Sequence, residues 1–191
     1  MNRFVPTAAE IPVLETERLR LRGHRAGDLD VCSTMWADPV VVVHTTGKIQ
    51  TREEVWARIL RYIGHWRLMG YGLWAVEEKA SSSFIGEAGF ANFKRELDPP
   101  LGDTPEIGWI LASGFHGKGY ATEAVRAIIA WGDQHFGQAR TACLIHPDNA
   151  ASIRLAQKCG YREYGRSTYR EKEVLMFERI PDTAARSIEH P

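Results

Sequence analysis

The feature that most constrains this chain is a glycine-rich turn between a strand-like run and an amphipathic helix. Residues 106–111 read Glu-Ile-Gly-Trp-Ile-Leu, residues 116–119 read His-Gly-Lys-Gly, and a helical pattern begins directly afterwards. A helix that starts at such a turn directs several backbone N–H groups to one point, with the positive end of the helix dipole behind them. Gly117 and Gly119 can adopt backbone angles closed to other residues and let an anion approach the main chain. The layout predicts a phosphate cradle.

The pattern after the turn predicts a helix over residues 119–136. Its apolar or small face repeats at helical spacing and consists of Val125, Ile128, Ile129, Gly132 and Phe136. Gly137 is placed to end the helix. Two common nucleotide motifs do not match the turn, because no Lys-Ser or Lys-Thr pair follows the glycines and the third glycine of a dinucleotide fingerprint is missing. A generic nucleotide-binding domain is therefore disfavoured.

A second segment, residues 140–161, combines a short strand-like run with a capped helix. Asp148 or Asn149 can cap this helix, and Gly160 can stop it. One helix face consists of Asn149, Ser152, Leu155, Ala156 and Cys159. An amide and a hydroxyl thus head an otherwise apolar stripe, and buried polar groups need partners. Structural alternatives are a plain N-cap for Asn149, and for Ser152 packing or a bond to a carbonyl one turn earlier.

These segments carry a resemblance to a known family. Residues 116–121 resemble the Gln/Arg-x-x-Gly-x-Gly/Ala motif of the GNAT acetyltransferase superfamily, and Gly-Lys-Gly-Tyr-Ala-Thr-Glu-Ala (117–124) is similar to its RimJ/RimL-like branch. His116 departs from the usual Gln or Arg. Residues 149–161 resemble the family's Asn-x-x-Ser…Lys-x-Gly-Phe/Tyr element, and residues 14–22 resemble the branch's opening Thr-Glu-Arg-Leu-x-Leu-Arg. The three matches follow the family order over about residues 14–180.

The resemblance implies transfer of an acetyl group from acetyl-coenzyme A to a primary amine, by direct attack in a ternary complex. It implies pyrophosphate binding by the main chain of His116, Gly117, Lys118, Gly119, Tyr120, Ala121 and Thr122. Pantetheine would bond to the main chain near Ile110 and Leu111 and to Asn149. The tyrosine that often donates a proton to the leaving thiolate is absent at Ala156, and Ser152 is the branch's alternative donor.

The general base is a choice between two carboxylates. Acetyl transfer to an amine requires a neutral nucleophile, whereas an alkylammonium is mostly protonated at neutral pH. Glu106 and Glu87 each lie on a strand expected to border the cleft, and we favour Glu106 because it lies on the strand expected to pair with pantetheine. Solvation at a strand edge is the structural alternative for each.

The fold class predicted is α/β (α+β), a single GNAT-like domain over residues 14–180 with flexible termini at 1–13 and 181–191. The sheet is expected to be mixed, mostly antiparallel and of about seven strands, with helices on both faces. The resemblance further implies that the sheet is splayed in the middle, between the strands that end near Leu111 and Ile145. Strands are predicted at 17–23, 71–79, 83–94, 105–112, 140–146, 161–170 and 172–180, and helices at 26–37, 51–68, 119–136 and 149–159.

Composition removes several function classes. The chain has 191 residues, with 24 basic and 24 acidic side chains, so its balanced charge argues against nucleic-acid and membrane-surface roles. Three cysteines without paired spacing predict free thiols in a reducing cytoplasm, and scattered histidines predict no metal site. A monomer or homodimer is expected. A non-catalytic acyl-coenzyme A-binding regulatory module remains the alternative function, and the acceptor stays open among a protein N-terminus, a polyamine, an amino acid and an aminoglycoside.

Overall fold

The computed structural model describes residues 11–181, which form one eight-stranded sheet in the order β1-β2-β3-β4-β5-β6-β8-β7. The strands are β1 (Leu14–Glu15), β2 (Leu19–Arg22), β3 (Leu73–Glu78), β4 (Ser83–Ala91), β5 (Glu106–Leu111), β6 (Thr141–Ile145), β7 (Arg162–Tyr169) and β8 (Lys172–Arg179). The helices are α1 (Leu29–Trp36), α2 (Pro39–Val42), α3 (Arg52–Met69), α4 (Tyr120–His135) and α5 (Ala150–Lys158).

Helices cover both faces of the sheet. On one face the stripe of α4 packs on the large core with Phe90 and Ile107, and Leu155 of α5 joins the same cluster. On the other face α1, α2 and α3 form a second cluster, in which Trp36 and Ile59 are buried. The predicted α/β class, the mostly antiparallel sheet and the two-sided helix cover are confirmed.

Two elements differ from the prediction. The opening run is a hairpin and not one strand, because Thr16 turns the chain: its N–H donates to the Leu19 carbonyl, and the Leu19 N–H donates to its hydroxyl oxygen. This gives eight strands where about seven were expected. Helix α2 was not predicted; Asp38 caps it by accepting from Val40 N–H, and Pro39 occupies its first turn. The predicted flexible termini fall largely on residues 1–10 and 182–191, outside the described residues.

The sheet splays between its only parallel neighbours within residues 11–181. β5 and β6 pair at a single position, Glu106 opposite Ala142, and the Ala142 N–H donates to the Pro105 carbonyl. Beyond that pair the strands diverge toward their carboxyl ends, where α4 and α5 begin. The predicted splay is confirmed, and it opens a gap in the middle of the sheet.

The close approach of β3 and β4 depends on one glycine. A Cβ on Gly89 would lie 2.2 Å from the Gly72 carbonyl oxygen and 2.5 Å from the Leu73 Cα. Gly108, its register partner on β5, has nothing within 4 Å of the same position. The two glycines therefore form a matched pair with opposite steric surroundings.

We predict that Gly89→Ala lowers the free energy of unfolding by about 1–3 kcal/mol, because backbone atoms have to move to admit the methyl group. Gly108→Ala is expected to be neutral or to raise it by up to about 1 kcal/mol, since alanine loses less conformational entropy than glycine. Urea titration of both variants measures the difference, and equal effects would show that the steric argument is wrong.

Candidate active site

The cradle, residues 116–122, has the backbone geometry that the sequence predicts. Gly117 and Gly119 have φ of +75° and +81°, a left-handed region that favours glycine, and α4 begins after Gly119. Among residues 11–181 no acceptor bonds to the N–H groups of residues 117–122. A cluster of unpaired donors at a helix N-terminus is a site for an anion.

The opening motif of the chain holds the cradle in place. Thr16 Oγ1 donates to Glu123 at 2.6 Å, and the backbone N–H and side chain of Arg18 bind both oxygens of the same carboxylate. Arg18 also donates to the Lys118 carbonyl at 3.0 Å and lies 4.5 Å from the ring centre of Tyr120. Two sequence segments more than a hundred residues apart thus form one unit, with Glu123 in the first turn of α4.

The gap beside β5 exposes backbone groups of alternate residues. Since Glu106 pairs with Ala142 and the Ala112 N–H donates to the Ile85 carbonyl on β4, the odd-numbered residues of β5 point their N–H and C=O groups toward β6. After the single β5–β6 pair, the N–H groups of Trp109 and Leu111 face the gap without a strand partner. The N–H and C=O groups of Ile110, in contrast, point to β4, where Ile110 lies opposite Glu87.

His116 has a specific contact. Its Nε2 lies 2.9 Å from the Leu111 carbonyl oxygen, to which the ring N–H donates. The side chain therefore turns back to the end of β5 and stabilises the turn, and it does not point its ring nitrogen Nε2 into the cradle. This gives a physical role to the residue that departs from the family motif.

Ser152 and Asn149 face the gap from α5. Asn149 Oδ1 accepts from the Ser152 N–H at 3.1 Å, so it is the N-cap, and its amide nitrogen donates to no described residue. Ser152 Oγ accepts from Trp109 Nε1 at 3.2 Å. An indole nitrogen is only a donor, so the Ser152 hydroxyl proton stays available to another acceptor. No bond from Ser152 Oγ to a carbonyl one turn earlier is present.

A cavity of about 590 Å³ lies between β4, β5, β6 and the helices α1 and α3. It brings together five of the predicted residues, namely Ile110, Asn149, Ser152, Glu87 and Glu106. The cradle and Leu111 lie outside its lining, at the end of β5. Two aromatic side chains on the helices before β3, Trp36 of α1 and Tyr62 of α3, line the cavity, whereas Trp66 of α3 belongs to the core.

Glu106 lies at the closed end of the gap and is almost buried, with 6% of its surface exposed. Both carboxylate oxygens accept from Arg95, at 2.7 and 2.9 Å. The Arg95 guanidinium also lies 4.6 Å from the ring centres of Phe93 and Tyr169. Neither Arg95 nor its pairing was predicted, because the partner comes from the long β4–β5 connection.

Glu87 is fully buried below α1 and α3. Trp36 Nε1 and the Tyr62 hydroxyl donate to one of its oxygens, at 3.2 and 3.1 Å, and His24 Nε2 lies 3.4 Å from the other. Burial by itself raises the pKa of Glu87, but the adjacent His24 ring and the nearby Arg58 charge lower it by more, so the net shift is downward. The carboxylate is thus held in its ionised form.

Cys32 completes the surroundings of Glu87, with its sulfur and the nearest His24 and Glu87 atoms within 4.8 Å of one another. Burial raises the pKa of the Cys32 thiol, so it stays protonated as a weak donor. Sequence reasoning missed His24 and Cys32, since their positions along the chain have no relation to Glu87 before the sheet forms.

Comparisons with known proteins agree with this geometry. Residues 18–162 match the model of the family described as acetyltransferase (GNAT) domain. The uncharacterized protein YkkB of Bacillus subtilis is 34% identical over 178 residues, covering 87% of this chain and 94% of YkkB. A GNAT-family acetyltransferase structure from Bordetella pertussis is 30% identical, with a TM-score of 0.79 over 88% of this chain and 99% of that one.

A more distant structure shares the fold alone. RimL, a ribosomal L7/L12 alpha-N-protein acetyltransferase in complex with coenzyme A, is 17% identical with a TM-score of 0.72, and the match covers 90% of this chain and 99% of RimL.

Over residues 11–181, none of the helices has both the length and the apolar content to cross a membrane. Since the family model spans well over half of the sequence and the sheet, cradle and gap are all present, this chain belongs to the GNAT acetyltransferase family and is an N-acetyltransferase.

Proposed function

We propose that this protein transfers the acetyl group of acetyl-coenzyme A to a primary amine by direct attack in a ternary complex. The observation that carries the proposal is the alignment of three features along β5: the cradle at its end, the unpaired backbone groups beside the gap, and the cavity at its closed end. The coenzyme A bound in the RimL structure supports this ligand for the fold.

The residues present fit acetyl-coenzyme A as co-substrate. The unpaired N–H groups of residues 117–122 would bind the pyrophosphate, and nothing lies within 4 Å of a Cβ position on Gly117. Trp109 and Leu111 would bond pantetheine through their main chain, with Ile110 between them on the strand. The free amide nitrogen of Asn149 would bond the same arm from α5. A backbone N–H there would also polarise the thioester carbonyl.

Ser152 would give its proton to the departing sulfur. Its Oγ is fixed by the Trp109 indole while its own proton is free, which is the arrangement that a donor requires. Glu106 or Glu87 would take the amine proton, directly or through water. Glu106 lies at the vertex of the gap, whereas Glu87 lies opposite Ile110 and below two aromatic donors.

The first prediction concerns the cradle. Gly119→Val places a β-branched side chain at a φ of +81° and close to Arg18, so acetyl-coenzyme A affinity should fall at least tenfold, about 1.4 kcal/mol. Gly137→Val is the matched control, because Gly137 has a φ of +63° at the far end of the same helix region. Calorimetric titration measures the acetyl-coenzyme A affinity of both variants. Unchanged affinity in a folded Gly119→Val protein would exclude the cradle from the binding site.

The second prediction concerns Ser152. Ser152→Ala should lower kcat roughly 10²-fold while the affinity for acetyl-coenzyme A stays within a few-fold, as for a general acid. Ser167→Ala is the control, since the buried Ser167 hydroxyl likewise accepts an N–H, from Asp98, but lies outside the cavity. Thiol-release kinetics with an amine panel gives kcat and calorimetric titration gives the affinity. Turnover within threefold of the parent would leave Ser152 as a packing residue.

The third prediction separates the two carboxylates. Glu106→Gln should lose at least tenfold in kcat at neutral pH and recover partly at high pH, where solvent supplies the free amine. Glu178→Gln on β8 is the control, because it also breaks a carboxylate–arginine pair, with Arg140, away from the cavity. A normal rate in Glu106→Gln with a large loss in Glu87→Gln would transfer the role to Glu87. Unchanged kcat in both Glu106→Gln and Glu87→Gln would mean that neither carboxylate is required as a base.

A further inference from the structure

The cavity of this electrically balanced chain has an unbalanced lining. Its cationic side chains are Arg58, Arg61, Arg95, Arg170 and Lys172, and its carboxylates are Glu87 and Glu106. The excess of positive charge is therefore local, since the whole chain has equal numbers of basic and acidic residues. A local potential of one sign selects ligands of the opposite charge.

Both carboxylates already have partners, so each presents less negative charge to a ligand than a free carboxylate would. Both oxygens of Glu106 accept from Arg95, while one oxygen of Glu87 accepts from Trp36 and Tyr62 and the other lies 3.4 Å from His24 Nε2 without a hydrogen bond. By contrast, no carboxylate within residues 11–181 lies at ion-pair distance from the remaining four cations, which are Arg58, Arg61, Arg170 and Lys172. The charge that faces the cavity is thus almost entirely positive.

Arg58 also has an unsatisfied donor. Its guanidinium carbon lies 3.7 Å from the ring centre of Trp36, one terminal nitrogen donates to the Tyr62 hydroxyl at 3.3 Å, and the buried Nε has no partner. A buried donor without an acceptor costs free energy, which an anionic ligand in the cavity would recover. This observation points to a ligand independently of the charge count.

The cations approach the cavity from opposite sides. Arg58 and Arg61 are one turn apart on α3, so they lie on the same side of that helix. Arg170 and Lys172 come from the turn that joins β7 and β8. The Lys172 ammonium packs against Gly47 in the loop after α2, 2.6 Å from the point that a Cβ on this glycine would occupy. A ligand in the cavity would therefore lie between two groups of positive charges.

We infer that the acceptor is a primary amine that also carries a carboxylate, and that polyamines and aminoglycosides are rejected by like-charge repulsion. This inference rests on the proposed acetyl transfer and names its substrate class. Arginine guanidinium groups bind carboxylate oxygens in pairs, and the amine end of the acceptor would lie toward the gap beside β5, where Asn149 and Ser152 line the cavity. Free amino acids and acidic peptide N-termini share this chemistry.

Binding of the acetylated product tests the inference without turnover. Calorimetry on the protein saturated with coenzyme A compares N-acetylglutamate with its diamide. We expect the carboxylate form to bind at least tenfold more tightly, with a difference that shrinks as salt is raised. A turnover panel of glutamate, its diamide, spermidine, and the peptides Ser-Glu-Glu-amide and Ser-Lys-Lys-amide distinguishes a free amino acid from a peptide acceptor.

Charge-removing variants locate the effect. Lys172→Met and Arg170→Met should each reduce the preference for the carboxylate at least threefold, whereas Lys172→Arg should retain it. Lys158→Met, on the exposed side of α5 and outside the cavity, is the matched control and should leave the preference unchanged.

Equal binding of acid and diamide, absence of binding by both, or a preference that survives both methionine variants would overturn the inference. Failure of the proposed function gives a different result, because thiol release or coenzyme A binding would then be absent while selection of the carboxylate remained measurable in the coenzyme-free protein.

Discussion

The incomplete pairing of β5 with β6 is the constraint on which the rest of the structure depends. A single register pair, Glu106 opposite Ala142, joins the two halves of the sheet, and the strands then separate. Unpaired backbone groups are costly in a protein interior, so a gap of this kind is maintained only where a ligand or water satisfies them. Every element of the site is arranged around it: the cradle at the end of β5, Ser152 on the helix that follows β6, and the cavity at the vertex.

The gap is held open by contacts that lie outside it. Arg18 and Thr16 fix Glu123 in the first turn of α4, and His116 bonds the Leu111 carbonyl. These side-chain contacts fix the ends of the turn without using the N–H groups of the cradle, which therefore stay free. Asn149 on α5 combines the two functions in one side chain: its oxygen caps the helix, and its amide nitrogen donates to no described residue. Pre-organised donors of this kind lose little conformational entropy when a ligand binds.

The charge of the cavity lining differs from the charge of the chain as a whole. The chain is neutral overall, yet in the cavity Glu106 is paired with Arg95, whereas Arg58, Arg61, Arg170 and Lys172 have no carboxylate of residues 11–181 at ion-pair distance. Stacking on Trp36 and Tyr169 helps to fix the guanidinium groups of Arg58 and Arg170 beside the cavity. Under the proposed function, an acceptor pocket with this lining would select by charge, whereas binding of the cofactor would depend on main-chain geometry.

The sequence by itself determined the order and type of most elements, the cradle and the capped helix with Asn149 and Ser152, because these are local: glycine positions, caps and periodicity act within a few residues. It also placed Glu87 and Glu106 on the correct strands. Only the tertiary structure decided what surrounds them, since His24, Cys32, Trp36 and Tyr62 reach Glu87 from three other segments. The Arg95 pair, the Trp109 contact and the positive cavity have the same origin. Long-range contacts are fixed by strand register and helix packing, which no local pattern records.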